Sequence, residues 1–182
     1  MVFNSLQYAL LFPAVLVVYW RLKRQGQNRV LLVASYLFYA AFDWRFLILM
    51  VISTVVDFVV GRELGQRSSP SARRWILLSS LAVNLGILGV FKCFDFFVRS
   101  LDAMLDRLGL QWSQPVLQVL LPVGISFYTF HGISYTVDVY RGHVKPATNL
   151  VDFAVFVAYF PQLVAGPIGR AHIQLPQFEN DR

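Results

Sequence analysis

The residues best suited to chemistry lie in residues 121–142, LPVGISFYTFHGISYTVDVYRG, where polar side chains interrupt an apolar segment. They recur every third or fourth position and therefore share one face of a helix. Lipid cannot satisfy such groups, so this face must contact protein or a water-filled cavity. The stripe is either a hydrogen-bonded seam between helices or the wall of a substrate path, and its members are Tyr128, His131, Ser134, Tyr135, Asp138 and Arg141.

Spacing disfavours two familiar kinds of catalytic site. Ser134, His131 and Asp138 have the composition of a catalytic triad, but no nucleophile-elbow motif accompanies them. The chain has a single cysteine, and its histidines, His131, His143 and His172, lack the spacing of paired zinc ligands. We therefore expect no metal site.

A second polar segment follows at residues 160–170, FPQLVAGPIGR. Pro161 and Pro167 each remove a backbone donor and disfavour helix at the preceding residue, so the helix that begins near residue 150 should break here. If the break lies at membrane depth, the freed carbonyls need donors, and Gln162 and Arg170 are suitable. The alternative is that the segment is an exit loop with Arg170 at the lipid headgroups.

Composition indicates the class of protein. Hydrophobic residues make up 57% and charged residues 14% of the 182-residue chain, and the mean hydropathy is +0.56. A soluble core of this size cannot bury so much apolar surface, which indicates a polytopic protein in a lipid bilayer. The net charge of +6 comes from basic residues clustered between apolar runs, a pattern typical of membrane topology rather than of nucleic-acid binding. The first twenty residues lack a cleavage pattern and should be a retained span.

The apolar runs predict an all-α membrane bundle of about six helices, in a single membrane domain over residues 1–182. The runs lie at 6–20, 30–42, 46–60, 76–91, 116–137 and 150–165. Two basic clusters, 21–29 and 61–74, are expected on the cytoplasmic side, which places the N-terminus of this multi-pass chain outside.

Three local interpretations follow from the topology. Residues 30–60 are predicted to form a helical hairpin that turns at Asp43-Trp44-Arg45, because one long helix would separate the two basic clusters. Asp57 is interpreted as a side chain that reaches the cytoplasmic interface or pairs with a basic neighbour.

Residues 92–114 alternate apolar and charged positions in a helical rhythm. They predict an amphipathic helix along the outer interface or an ordinary helical loop packed on the bundle.

The chain resembles the membrane-bound O-acyltransferase family, in its bacterial alginate O-acetyltransferase branch, which is related to the D-alanyl transfer proteins of the cell wall. The likeness covers essentially the whole chain. It is carried by LPVGISFYTFHGISYTVDVYRG and FPQLVAGPIGR, together with MVFNSLQYALLF and NRVLLVASYLFYAAFDWRFLILM.

This resemblance implies an enzyme of the bacterial inner membrane that takes an acyl group from a cytoplasmic donor, presumed to be acetyl-CoA, and passes it to a hydroxyl acceptor outside. No bound cofactor is expected. In the alginate branch the acceptor is an exopolysaccharide, and periplasmic proteins of the acetylation machinery take part. The competing interpretation is a non-catalytic membrane scaffold or a degenerate paralogue in polysaccharide export.

The family's essential histidine lies on a later segment in a Trp-His-Gly motif, which is absent here. We therefore expect an N-terminal portion that is inactive without the C-terminal half, with no catalytic residue of its own. By resemblance, Asp138, Tyr140 and Arg141 would orient the donor or bind its anionic groups. The residues expected along the substrate or donor path are Tyr128, His131, Asp138, Tyr140, Arg141, Gln162 and Arg170.

Overall fold

The computed structural model describes residues 6–108, 124–163, 166 and 169–180. Within these ranges the chain is helical and contains no strand, which confirms the all-α prediction. The helices are α1 (Leu6–Tyr19), α2 (Arg24–Ala40), α3 (Trp44–Gln66), α4 (Pro70–Arg107), α5 (Ile125–Arg141), α6 (Leu150–Ala158), α7 (Phe160–Leu163) and α8 (Ala171–Glu179).

Local signals in the sequence set several helix ends. Asp43 caps α3 by accepting a hydrogen bond from the Arg45 N–H at 2.9 Å, and Asn149 caps α6 through the Val151 N–H at 2.8 Å. Helices α2 and α3 are separate and pack against each other, so the predicted hairpin at Asp43 is confirmed.

Two segments are long and apolar enough to cross a membrane: Trp44–Gln66 and Pro70–Lys92. Their outer faces expose side chains such as Ile48, Ile52 and Val83, as contact with lipid requires. Shorter apolar segments occupy Tyr8–Tyr19 and Leu150–Leu163. Length and composition thus support a membrane protein with two spanning helices in the described residues, and a bundle of about six stays a prediction.

Helix α4 corrects one boundary. Residues 76–91 and 92–114 were expected to form a span and a separate interfacial segment, but α4 continues without interruption from Pro70 to Arg107. No proline or glycine lies between residues 90 and 107 to end it, and the helical rhythm of the second segment simply extends the first. Residues 109–123, which include the start of the run predicted at 116–137, lie outside the described residues.

Helix α5 lies at the centre of the packing. It contacts α3 and α4 along its length, and also α6 and α8. Helix α6 is buried on all sides from Asp152 to Ala158, which is the behaviour of a core helix that lies between α2, α3 and α8.

The predicted break is present, and it begins one residue before the expected stretch. Tyr159 leaves the helical conformation (φ −53°, ψ 104°), and Phe160–Leu163 form a single further turn. Pro161 has no N–H to donate to the carbonyl four residues earlier, which belongs to Val157. The Phe160 N–H is satisfied by Ser35 Oγ at 3.2 Å, so α2 supplies the polar partner at this break.

Asp57 differs from its interpretation. It is 1% exposed and forms no ion pair with a described basic residue. Its partners are Asn84 at 2.8 Å and Ser80 at 3.4 Å, both on α4. The interpretation failed because the position of Asp57 near the end of an apolar run does not reveal that α4 and α5 cover it.

Candidate functional site

The polar stripe of α5 faces protein. Tyr128, His131 and Tyr135 are each at most 1% exposed, and Asp138 is 8% exposed. The prediction that lipid does not contact this face is therefore confirmed for these four residues. Glycines with left-handed φ angles flank the helix, Gly124 at 78° and Gly142 at 76°, and these reversals fix where the stripe begins and ends.

The deep half of the stripe contains polar atoms without regular hydrogen bonds. The hydroxyl of Tyr128 and both ring nitrogens of His131 are buried and unpartnered among the described residues. The Tyr128 ring packs edge-on against Tyr39, with 6.5 Å between centroids. His131 makes a loose contact with the backbone of Val157, whose carbonyl Pro161 leaves free. Val157 lies on α6 just before the second segment singled out from the sequence, so the stripe packs against the end of the helix that breaks there.

The other half of the stripe, from Ser134 onward, forms hydrogen bonds with segments outside α5. The hydroxyl of Tyr135 accepts a hydrogen bond from the Ala147 N–H at 3.0 Å, which anchors the loop after α5. Ser134 Oγ likewise accepts from the Ala171 N–H at 3.1 Å, at the start of α8. These contacts correspond to the seam predicted as one of two alternatives.

Asp138 joins three elements near the end of α5. Its Oδ2 accepts hydrogen bonds from the backbone N–H of His172 at 3.2 Å and from its ring Nδ1 at 3.0 Å. Its Oδ1 lies 3.6 Å from Nδ1 of His143. The carboxylate thus satisfies one of the orphan N–H groups at the N-terminus of α8, where negative charge is favoured.

An open cleft of about 660 Å³ lies beside Asp138. Arg141 and Arg170 line it from α5 and from the residue before α8, together with both imidazoles. Both arginines are exposed, and neither forms an ion pair with another described residue. Two free guanidiniums beside two imidazoles can bind an anionic group such as a phosphate or a carboxylate.

The remaining expected path residues lie apart from this cleft. The Tyr140 ring lies 5.5 Å from the Arg73 guanidinium, which also donates to the Tyr140 carbonyl at 2.8 Å. Gln162 accepts a backbone hydrogen bond from Gly166 at 2.9 Å, and its side chain makes no hydrogen bond with the described residues. The roles assigned to Tyr140 and Gln162 stay predictions.

The sequence marks His143 and His172 only as histidines whose spacing is unsuitable for zinc. The structure brings both to Asp138, with 6.1 Å between their ring centroids. His172 is separated from Asp138 by 34 positions, and no local pattern marks the pair. Even so, the described residues contain no group of three His, Cys, Asp or Glu side chains arranged to hold a metal ion.

Comparison with known proteins identifies relatives of this sequence. The chain is 45% identical over 184 aligned residues to a probable alginate O-acetylase from Pseudomonas putida, covering 99% of this chain and 37% of that protein. The corresponding protein from Pseudomonas aeruginosa is 42% identical, with 35% of its length covered. A peptidoglycan O-acetyltransferase from Helicobacter pylori is 29% identical, with 39% covered.

The chain therefore spans little more than a third of the length of these relatives. No family model matches it, and no solved structure matches it significantly. Because the alignments cover nearly the whole chain at 42 to 45% identity, the resemblance seen in the sequence is confirmed. Over nearly its whole length the chain is thus similar to a portion of the alginate O-acetylases, the branch of the membrane-bound O-acyltransferase family that its sequence resembles.

Proposed function

We propose that the complete protein transfers acetyl groups to hydroxyls of an exopolysaccharide such as alginate, and that residues 6–180 form part of the wall of its donor path. The observation that carries this proposal is the 45% identity to a probable alginate O-acetylase over 99% of the chain. The general base would be the family's histidine in the remaining portion, which activates an acceptor hydroxyl to attack the donor carbonyl.

In this proposal the acyl donor enters the helical bundle through the cleft beside Asp138. Arg73, in the basic cluster at the start of α4, donates to the carbonyl of Tyr140 at the end of α5. Arg24, in the other basic cluster, pairs with Asp152 near the start of α6. Both clusters therefore lie at the cleft end of the bundle, and the positive-inside rule places that end in the cytoplasm.

This orientation gives the cleft residues their roles. Arg141 and Arg170 bind anionic groups of the donor, which is acetyl-CoA in this proposal, and Asp138 holds α8 so that Arg170 stays at the cleft. The remaining helices complete an inner-membrane bundle of about six spans with the N-terminus outside. Periplasmic acetylation proteins and the C-terminal half are the partners.

The test uses the full-length protein in cells that make the polymer but lack their own acetylase. Arg141→Ala and Arg170→Ala should each lower polymer-linked acetyl about tenfold or more, because each removes a charge-assisted contact. Arg67→Ala is the matched control, since Arg67 is an exposed arginine that pairs with Glu63 outside the cleft. An unmodified polymer with the wild type contradicts the function, and full acetylation by both cleft variants contradicts the donor site.

Orientation is tested separately by cysteine labelling. In a Cys93→Ser background, Ser69→Cys should resist membrane-impermeant thiol reagents added from the outer side, because it precedes α4 at the cytoplasmic end. Rapid labelling of this position in intact cells would invert the topology.

A further inference from the structure

Asp57 is a buried carboxyl group that the proposed function does not use. It lies on α3, about 13 Å of helix rise from the end at Gln66 and about 20 Å from the start at Trp44, so it sits within the membrane-spanning segment. It is 1% exposed. An ionisable group at this depth is costly and needs a specific explanation.

Its two oxygens have different surroundings. Oδ1 accepts hydrogen bonds from Asn84 Nδ2 at 2.8 Å and from Ser80 Oγ at 3.4 Å. Oδ2 is buried without a hydrogen-bond partner among the described residues and lies against Gly132, where a Cβ atom would overlap it. Two donors therefore converge on one oxygen and none on the other.

No charged side chain in the described part of the protein compensates this carboxyl. No described arginine, lysine or histidine forms an ion pair with it, whether from α2, α4, α5 or α6. The ionisable group that interacts with it from α5 is Tyr135, a further potential anion, and Ser80 and Asn84 reach it from α4. A buried carboxylate without a cation would cost several kcal/mol.

The orientation of Asn84 argues against a bound metal cation. Its amide nitrogen donates both to Asp57 and to the carbonyl oxygen of Ser80, the latter at 3.1 Å. Its amide oxygen accepts from Ser53 Oγ at 3.4 Å and so is engaged away from the carboxyl. A cation would require that oxygen beside Asp57.

We propose that Asp57 is a neutral carboxylic acid, a proton-binding site inside the membrane at the junction of α3, α4 and α5. A carboxylic acid has one oxygen that accepts hydrogen bonds well, which matches Oδ1, and one that carries the proton, which matches Oδ2. Because Oδ2 lies against Gly132, release of the proton leaves an uncompensated negative charge on Asp57 in direct contact with α5, the helix that carries the cleft. Proton binding at Asp57 thereby controls how firmly α5 is packed.

Infrared spectroscopy of the full-length protein in lipid tests the protonation state directly. The wild-type minus Asp57→Asn difference spectrum at neutral pH should contain the carbonyl stretch of a neutral acid, shifted in heavy water. Asp152→Asn is the control and should remove carboxylate bands instead, because Asp152 pairs with Arg24 at 3.0 Å. Carboxylate bands in the Asp57 difference spectrum, or their growth when sodium is added, would overturn the proposal.

Stability against pH gives a second measurement. The folded protein binds one more proton at Asp57 than the unfolded chain does at neutral pH, so wild-type stability should fall as the pH rises. Asp57→Asn mimics the neutral acid, so it should match the wild type near pH 4, where the unfolded carboxyl is still protonated, and become progressively more stable than the wild type as the pH rises. A variant that is strongly destabilised at pH 6 would mean that the wild-type group is ionised. Neither measurement depends on acetyl transfer, so their failure is distinct from failure of the proposed function.

Discussion

Asp57 and Asp138 are carboxyl groups on adjacent helices with opposite surroundings. Asp138 lies at a helix end, accepts hydrogen bonds from His172 and lies beside two guanidiniums in an open cleft. Asp57 lies inside a spanning segment, with donors on one oxygen and no ion pair to any basic residue that the structure describes. The first setting stabilises a negative charge and the second does not. A carboxyl group's role in a membrane bundle thus depends on what surrounds each oxygen, and sequence position alone does not reveal it.

The largest expected effect comes from filling the space beside Asp57. Gly132→Ala should lower the free energy of unfolding by about 3 kcal/mol, because the new methyl group overlaps Oδ2 in a packed interior. Gly86→Ala, on the open face of α4, is the matched control and should change stability by less than about 1 kcal/mol. Reversible unfolding in mixed detergent measures both variants. Equal stabilities would contradict the close packing at Asp57.

The second effect concerns the charged setting. Asp138→Ala should cost about 2 kcal/mol, because it leaves the N–H groups of His172 without their acceptor. Asp138→Asn retains one acceptor oxygen and should cost about half as much. The free energy of unfolding of both variants and the wild type measures these costs. Equal values for all three would mean that the carboxylate does not anchor α8.

The third effect compares two tyrosines of the stripe. Tyr135→Phe removes the acceptor of the buried Ala147 N–H and should cost about 1 to 2 kcal/mol. Tyr128→Phe removes a buried hydroxyl that has no described partner and should be neutral or stabilising. Thermal unfolding of both variants measures the difference in stability. A larger loss of stability for Tyr128→Phe than for Tyr135→Phe would contradict the conclusion that Tyr135 is hydrogen-bonded and that Tyr128 has no partner among the described residues.

The smallest effect concerns a carboxyl group at the edge of the fold. Burial, and secondly Asp152, raise the pKa of Glu179, while Arg24 lowers it. Because the raised pKa means that the folded state holds its proton more tightly, stability should fall slightly as the pH rises above 4.5 through the folded pKa. Glu179→Gln should make the unfolding midpoint depend less on pH over this acidic range. A steeper curve for the variant would contradict the direction of the shift.

Local sequence signals predicted the elements whose causes are local. The spacing of polar residues predicted the buried face of α5, Asp43 marked the turn between α2 and α3, and Pro161 marked the end of α6. The partners at these places were not predictable, because they come from distant positions. Ser35, which satisfies the break after α6, lies 125 residues from Phe160. No pairwise pattern in a single sequence identifies such a contact.

The same limit explains the two corrections. Charged residues after position 91 suggested that a span ends there, yet a helix with no breaking residue continues wherever its backbone hydrogen bonds are uninterrupted. Asp57 was interpreted from its distance to the nearest basic cluster along the chain. Its real environment is set by Asn84 and Gly132, which belong to two other helices.

The unbroken length of α4 has a mechanical consequence. Its 38 residues rise about 57 Å, nearly twice the thickness of the hydrocarbon layer. Its first turn is tied to the end of α5 through Arg73, and the helix continues about 22 Å past its apolar segment Pro70–Lys92. A tilt of about 5° at the tied end would swing the far end by about 5 Å. A protein that binds the far end of α4 could thus shift the end of α5, and with it the cleft, without contacting the cleft.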